Sequence, residues 1–288
     1  MEQILNIYLN DLELQSFSAK TIKTYRNNLL QLIRYLNNIG ITDIEQINPL
    51  HIKQFISFKR ENNCSAVYIN NLLKCYRPFF NWCVEYEYIE VNPMQKIKNL
   101  KAPKSIIQTF NDTEAKAMMD YYKGSDFLSI RNKTIVMLLF HSGIRATELC
   151  NITIKDLCSN YIIINGKGSK QRIAPISMPL LKQLNKYMRY RNREFKEPND
   201  YLFLSRNNRK LTVEMLEVIV KDCSITVRKE IRRSPHTIRH YYSQNQILKG
   251  TDIFTLSLLL GHNSVEVTQS YLRSIDKNLL VLNSIKKE

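Results

Sequence analysis

The spacing of apolar residues predicts that the first hundred residues of this chain are helical. After Ser18, apolar side chains recur every three or four positions until Gly40, which is the period of one face of an α-helix. Serine is a favoured first cap of a helix and glycine a favoured end. The same pattern opens again after Asn48 and after Ser65. We therefore predict a bundle of helices over residues 1–93.

The remainder of the chain mixes helical patterns with short extended runs. Residues 161–164 and 172–176 are rich in isoleucine and flank a Gly-Lys-Gly sequence, which is typical of a β-hairpin with a long tip. Residues 201–204 predict a third short strand. Helical patterns surround these runs, at residues 133–140, 179–189, 212–221, 236–248, 252–260 and 264–272. The expected fold is mainly α, with a small β-sheet built on the hairpin.

A polar, basic stretch separates these two parts and predicts a domain boundary. Residues 94–109 follow an Asn-Pro pair, contain a further proline and carry Lys96, Lys98, Lys101 and Lys104. We interpret this stretch as a linker that runs along a charged partner, between a helical domain (1–93) and a second domain (110–288). The second domain is expected to end in an amphipathic tail helix over 276–288, because its apolar residues follow three–four spacing.

The charge of the chain indicates a polyanionic partner. The sequence of 288 residues holds 42 Lys and Arg against 26 Asp and Glu, a formal net charge of +16. The excess is uneven, with a net of +2 in residues 1–100 and +14 in residues 101–288. Such asymmetry between two halves of a chain is typical of a domain that binds nucleic acid.

Several classes of protein are disfavoured by the same sequence. No apolar run approaches the 18 or more residues that a membrane helix requires, and the N-terminus lacks the pattern of a signal peptide. The 6 cysteines have no CxxC spacing, so we expect reduced thiols rather than metal ligands. The sequence predicts a cytoplasmic protein with no bound metal and no membrane contact.

Four short segments combine glycine with basic side chains and are candidates for a site. They are Gly-Ile-Arg-Ala-Thr-Glu-Leu (143–149), Asn-Gly-Lys-Gly-Ser-Lys-Gln-Arg (165–172), Ser-Pro-His-Thr-Ile-Arg-His (234–240) and Leu-Gly-His-Asn-Ser (260–264), with Tyr271 shortly after. Each alone has an ordinary explanation, such as a surface arginine, a β-turn or a helix C-cap. Together, their two arginines, one lysine and two histidines could converge on a single anion, with a tyrosine within reach.

Such a set of side chains suits a phosphodiester. Arginine donates two parallel hydrogen bonds to phosphate oxygens, and fixed cations stabilise the extra charge of a pentacoordinate transition state. A phenol is a plausible nucleophile, although its unperturbed pKa of about 10 requires neighbouring cations or a base. No carboxylate cluster suited to Mg²⁺ is evident in the sequence, which favours chemistry without a metal.

In their order and spacing, these motifs resemble those of the tyrosine recombinases, the phage-integrase family. The pattern G-I-R-x-x-E-L, G-K-G-x-K-x-R, H-x-x-R-H, L-G-H and Tyr is most similar to that of Xer-type members without an arm-binding domain. The resemblance implies a SAM-like core-binding domain at 1–93 and a mixed α/β catalytic domain at 110–288. It also implies double-stranded DNA recombination sites as partners, a homotetramer on DNA and no cofactor, and it leaves a partner recombinase open.

The resemblance further implies a role for each motif residue. Arg145 and Arg239 would clamp the non-bridging oxygens of the scissile phosphate, and Lys167 would protonate the 5′-oxygen that leaves. His236 would assist removal of the proton from Tyr271, the nucleophile that forms a 3′-phosphotyrosyl link.

Other motif residues are implied to play supporting parts. His262 would hydrogen-bond the phosphate, and Glu148 and His240 would support the site. Contacts with DNA are expected from Lys170, Arg172 and the linker lysines Lys96, Lys98, Lys101 and Lys104.

Two departures from the Xer pattern bear on the biological role. Leu-Arg-Ser follows Tyr271, where Thr-His is more usual, and the segment Tyr-Tyr-Ser-Gln-Asn-Gln after His240 is bulkier and more polar. They favour integration, excision or resolution of a mobile element over Xer-type resolution of chromosome or plasmid dimers. A type IB topoisomerase and a non-catalytic DNA-binding accessory protein are the less favoured alternatives, the second because no motif residue is missing.

Overall fold

The computed structural model describes residues 1–103, 108–166, 171–225, 227–261 and 264–272, the side chains of 270–272 excepted. The chain divides into two compact units, Met1–Lys104 and Ser105–Glu288. No helix among the described residues is long and apolar enough to cross a membrane.

The described part of the first unit is a bundle of helices, as predicted. Its helices are α1 (Glu2–Leu14), α2 (Ala19–Asn38), α3 (Pro49–Glu61) and α4 (Ala66–Glu85). Ser18, Asn48 and Ser65 begin α2, α3 and α4, and each side-chain oxygen accepts a backbone N–H of the first turn. Apolar faces at helical spacing then meet in one core, which buries large side chains such as Phe55 and Tyr76.

The segment that follows α4 is attached to this bundle. Met94 and Ile97 are buried in its core, and the Asn70 side chain exchanges hydrogen bonds of 2.8 and 2.9 Å with the backbone of Leu100. The predicted linker of 94–109 is therefore fixed to the first unit over its first residues, 94–100. The side chains of Lys96, Lys98 and Lys101 are exposed, and Lys104 lies outside the described residues.

The second unit is built around one helix that is buried on most sides. Helix α6 (Phe127–Ser142) packs against α8 (Met178–Glu194) and α10 (Pro235–Leu248), as expected of a helix that is apolar nearly all round. Asp126 caps its first turn, so the helix begins before the predicted span of 133–140. The other α-helices among the described residues of this unit are α5 (Asp112–Met119), α7 (Ala146–Asn151), α9 (Val213–Cys223), α11 (Ile253–Leu260) and α12 (Val265–Leu272).

The predicted hairpin is confirmed. Strands β1 (Tyr161–Asn165) and β2 (Gln171–Pro175) pair antiparallel, with Asn165 opposite Gln171. Of the Gly-Lys-Gly sequence between the two strands, only Gly166 is among the described residues.

The predicted third strand at 201–204 is wrong. Tyr201 and Leu204 form only isolated bridges, to Thr153 and Lys210. Carbonyls of this segment accept from side chains instead of a neighbouring strand: Arg191 Nη2 donates to Tyr201 O, Tyr187 Oη to Leu202 O and Arg131 Nη1 to Leu204 O. With these carbonyls satisfied by side chains, the segment makes only single backbone contacts, from Leu202 N to Ile152 O and from Leu211 N to Phe203 O, and no continuous ladder.

Candidate active site

Arg145, Arg172 and Arg239 come from separate elements and converge on the C-terminal end of α11. Arg145 precedes α7, Arg172 lies on β2, and Arg239 lies on α10. The donors and acceptors are Arg145 Nη2 to Gly261 O at 3.1 Å, Arg172 Nη1 to Leu259 O at 2.9 Å and Arg239 Nη2 to Leu260 O at 2.7 Å. The last carbonyls of a helix lack intrahelical partners and carry the negative end of its dipole, so they favour cations.

Glu148 is buried between two of these arginines. Its carboxylate oxygens lie 2.6 Å from Arg145 Nη1 and 2.7 Å from Arg172 Nη2, and it also accepts the backbone N–H of Arg145 at 3.0 Å. Burial alone raises the pKa of a carboxyl, but the charge of Arg172 and the hydrogen bonds from Arg145 lower the pKa of Glu148 below its usual value. The Glu148 carboxylate therefore fixes the position of the Arg145 guanidinium through an ion pair and a backbone hydrogen bond.

Arg239 is held at the turn that ends α6. Its Nη1 donates to the carbonyl of Gly143 at 2.7 Å, and the side chain is buried. Gly143 has φ of +57°, and a Cβ there would lie 2.4 Å from the ring of Tyr242. A left-handed turn under an aromatic ring requires glycine. The motif at 143–149 therefore supplies Arg145 and also the Gly143 carbonyl that accepts a hydrogen bond from Arg239.

His236 and His240 form a pair on the first turns of α10. Their Nε2 atoms are 3.0 Å apart, so one ring donates and the other accepts. Burial and then the charges of His236 and Arg239 lower the pKa of His240 to about 4. Burial and then Arg239, Arg232 and Arg145 lower the pKa of the more exposed His236. Both imidazoles are therefore neutral at pH 7, and a neutral imidazole can act as a base.

The structure brings five of the predicted site residues together. Arg145, Glu148, His236, Arg239 and His240 belong to one connected cluster of hydrogen bonds, ring contacts and charges. Tyr271 lies on α12, which packs against α10 and α11. Lys167, Lys170 and His262 lie outside the described residues. Among the described residues, no group of three or more His, Cys, Asp and Glu side chains is placed to hold a metal ion.

Arg172, which was predicted to contact DNA, is bonded to other residues of the protein. Its side chain is only 9% exposed and is bonded to Glu148 and to Leu259 O. The alternation of side chains along β2 explains why Arg172 is buried: Ile173 is exposed, whereas Arg172 and Ala174 lie on the opposite, inner face.

The second unit and the first each match a known family model. The model described as the phage integrase family matches residues 104–278, and the model described as the phage integrase N-terminal SAM-like domain matches residues 5–86. The chain belongs to the phage integrase family. The predicted tyrosine recombinase family is thus confirmed, and with it the predicted enzyme class, a site-specific recombinase.

Curated relatives of this phage integrase family member align along almost its whole length. Tyrosine recombinase XerC of Thermodesulfovibrio yellowstonii is 26% identical over 281 residues, covering 95% of this chain and 92% of the relative. Tyrosine recombinase XerA of Pyrococcus horikoshii is 29% identical over 284 residues, covering 96% and 90%.

Solved structures of similar fold include recombinases bound to DNA. The XerH recombinase on palindromic difH, a post-cleavage complex, aligns with a TM-score of 0.77 at 22% identity, covering 93% of this chain and 80% of XerH. The Tn1549 transposon integrase bound to transposon right end DNA aligns with a TM-score of 0.76 at 18% identity, covering 98% of each chain. At these identities the likeness establishes the fold, a mainly helical one with a SAM-like N-terminal domain, as predicted.

Proposed function

We propose that this recombinase cleaves and rejoins DNA through a 3′-phosphotyrosyl link at Tyr271 and exchanges strands through a Holliday junction. The observation that carries the proposal is the meeting of Arg145 and Arg239 at one turn, with a neutral histidine pair beside them. Two guanidinium groups and a base at one place suit a phosphodiester under attack by a hydroxyl.

The arginines supply the binding of the scissile phosphate. Arg145 is 41% exposed, and its hydrogen bonds to Glu148 and to the carbonyls of Leu260 and Gly261 leave donors of its five N–H groups for a phosphate. Arg239 is buried against Gly143 and Leu260, so its guanidinium does not reorganise during the reaction. Positive charge fixed before the reaction is the form of electrostatic catalysis with the largest effect.

Proton transfers in this proposal balance without an outside reactant. The Tyr271 hydroxyl attacks the phosphorus and gives its proton toward His236, while the bond from phosphorus to the 5′-oxygen breaks and Lys167 protonates that oxygen. The second strand's 5′-hydroxyl later reverses these steps and releases the tyrosine. One phosphodiester is exchanged for another, so the exchange requires no ATP.

For the biological role, we propose integration, excision or resolution of a mobile element. The polar segment after His240 and the Leu-Arg-Ser after Tyr271 support it, since they depart from the Xer pattern. Xer-type dimer resolution is the second candidate, supported by full-length similarity to the XerC and XerA relatives. In either case, we propose a cytoplasmic enzyme that assembles as a tetramer on two DNA segments. Its predicted tail helix at 276–288 lies outside the described residues.

The proposed function can be tested without knowing the recombination site. Purified full-length protein is incubated with a pool of nicked duplexes of randomised sequence, in which cleavage releases a short fragment and traps the covalent complex. We expect the trapped DNA to be enriched in one motif with inverted half-sites. Trapping without sequence preference would instead indicate a type IB topoisomerase, and no trapping would indicate a non-catalytic DNA-binding protein.

The excess positive charge of residues 101–288 leads to a prediction about the salt dependence of DNA binding. If each protomer neutralises roughly six to ten phosphates, affinity for the captured site should fall about 10³–10⁵-fold between 50 and 200 mM salt. The reason is that the excess positive charge of residues 101–288, a net of +14, displaces counterions from DNA. Fluorescence anisotropy on a labelled half-site measures this slope. A nearly flat response contradicts the proposal that this surface faces DNA.

A further inference from the structure

Arg172 connects segments of the site that are far apart in sequence. It lies on β2, the strand that returns from the hairpin tip. Its Nη2 contacts the Glu148 carboxylate, which also holds Arg145, and its Nη1 donates to the Leu259 carbonyl in the last turn of α11. The side chain thus links the hairpin, the first arginine and the segment that leads to His262.

The Arg172 side chain also lies against Gly261, the residue before His262. Gly261 has φ of +63°, and a Cβ there would lie 2.7 Å from Arg172 Cδ and 3.0 Å from its Nε. A side chain at position 261 would therefore displace Arg172 as well as strain the backbone. This close contact fixes the guanidinium over the 260–261 turn, whose carbonyls bind Arg145.

The ion pair between Arg172 and Glu148 also affects the protonation of the Glu148 carboxylate. Arg145 before α7 and Arg172 from β2 are the cations that face the Glu148 carboxylate among the described residues, and Tyr242 of α10 and Arg145 are close to Arg172. Glu148 is only 6% exposed. Without Arg172, burial favours the neutral acid, and a neutral Glu148 would no longer hold Arg145 as an ion pair.

We propose that Arg172 is a positioning residue for cleavage, which aims Arg145 through Glu148 and holds the turn before His262. It does not itself touch the DNA. This inference rests on the proposed function, because it concerns how the phosphate-binding arginine is placed.

The test compares Arg172→Gln, Arg172→Lys and the wild type on the captured recombination site. Glutamine removes the charge, whereas lysine keeps it but has one ammonium that cannot bond Glu148 and Leu259 O as the guanidinium does. Arg189→Gln is the matched control, because Arg189 is an exposed arginine of α8 in the same unit. Equilibrium binding and single-turnover formation of the covalent complex are measured between about pH 6 and pH 9.

We expect Arg172→Gln to bind DNA as the control does and to cleave about 10²-fold more slowly at saturating DNA, the size of effect expected from a small misplacement of a reacting group. The ratio of its rate to that of the wild type should fall further as the pH is lowered. The sign follows from Glu148, whose carboxyl is protonated at a higher pH once Arg172 is absent. Arg172→Lys should restore the wild-type pH dependence, at a rate between the other two.

Several outcomes would overturn the inference. A lower affinity and a smaller salt slope for Arg172→Gln, with normal cleavage at saturation, would return Arg172 to the DNA contacts. Slower cleavage by the same factor at every pH, not relieved by lysine, would indicate a role in folding alone. If Arg172→Gln does not fold, the test rests on Arg172→Lys. Cleavage by Arg172→Lys at the wild-type rate would then contradict the inference. A wild-type protein that forms no covalent complex contradicts the proposed function itself, which separates the two failures.

Discussion

Protein with Tyr271→Phe is expected to bind the recombination site like the wild type and to form no covalent complex with it. Phenylalanine keeps the ring and removes only the hydroxyl that would attack the phosphorus. Removing the nucleophile from an enzyme that works through a covalent intermediate lowers its rate on the order of 10⁶-fold. Denaturing gels of the trapped complex measure cleavage, and anisotropy at low salt measures binding.

The control for this substitution is an exposed tyrosine outside the candidate site. Tyr121 is 41% exposed and lies two residues after the end of α5, so Tyr121→Phe should cleave as the wild type does. A covalent complex that persists in Tyr271→Phe would assign the nucleophile to a different side chain. Loss of DNA binding in Tyr271→Phe would show that the tyrosine has a structural role that the proposal does not include.

Lys167→Ala is expected to lower cleavage of ordinary DNA about 10²–10⁴-fold, the usual contribution of a general acid. The 5′-oxygen of deoxyribose is a poor leaving group unless it is protonated. Lysine can give up a proton, whereas arginine remains protonated and only donates hydrogen bonds. In a substrate with sulfur at the 5′-bridging position, the leaving group is a thiolate that needs no proton. On this substrate Lys167→Ala should recover most of the lost rate.

Arg145→Ala and Lys170→Ala are the controls for the rescue of Lys167→Ala by the sulfur substrate. Arg145 binds the phosphate through its guanidinium in the proposed mechanism, so its alanine variant should stay slow on the sulfur substrate. Lys170 lies three residues after Lys167 in the sequence, and its alanine variant should cleave both substrates alike. If Lys170→Ala is the variant that the sulfur rescues, or if Lys167→Ala is not rescued, the general acid has been assigned to the wrong residue.

Local signals in the sequence were sufficient for most of the helices and for the hairpin. Ser18, Asn48 and Ser65 begin helices as predicted, because a cap depends on its own side chain and the next three residues. The hairpin depends on two short runs that are close in sequence. Features that arise within a few residues can be inferred without knowledge of the rest of the fold.

The features that were missed depend on partners distant in sequence. Met94 and Ile97 are too few to form a periodic pattern among lysines, and their burial depends on the bundle core and on Asn70 of α4, which holds Leu100. Residues 201–204 have the composition of a strand, but side chains from α6 and α8 satisfy their carbonyls.

The candidate site also has features that could be predicted from the sequence and features that could not. The order of its motifs was sufficient to predict that Arg145, His236 and Arg239 meet. That the end of α11 would be their meeting point was not predictable, since it requires the left-handed glycines 143 and 261 and the contacts they permit. The contacts of Arg172 within the protein were not predictable either, because its partners, Glu148 and Leu259, lie 24 and 87 residues away.

The most direct test of the central claim is the chemical identity of the link between protein and DNA. The covalent complex trapped on a nicked substrate is digested with protease and nuclease, and the modified peptide is identified by mass spectrometry. The proposal predicts a peptide that contains Tyr271 joined through a 3′-phosphate, with a free 5′-hydroxyl on the released strand. Attachment through any other residue, or through a 5′-phosphate, would contradict it.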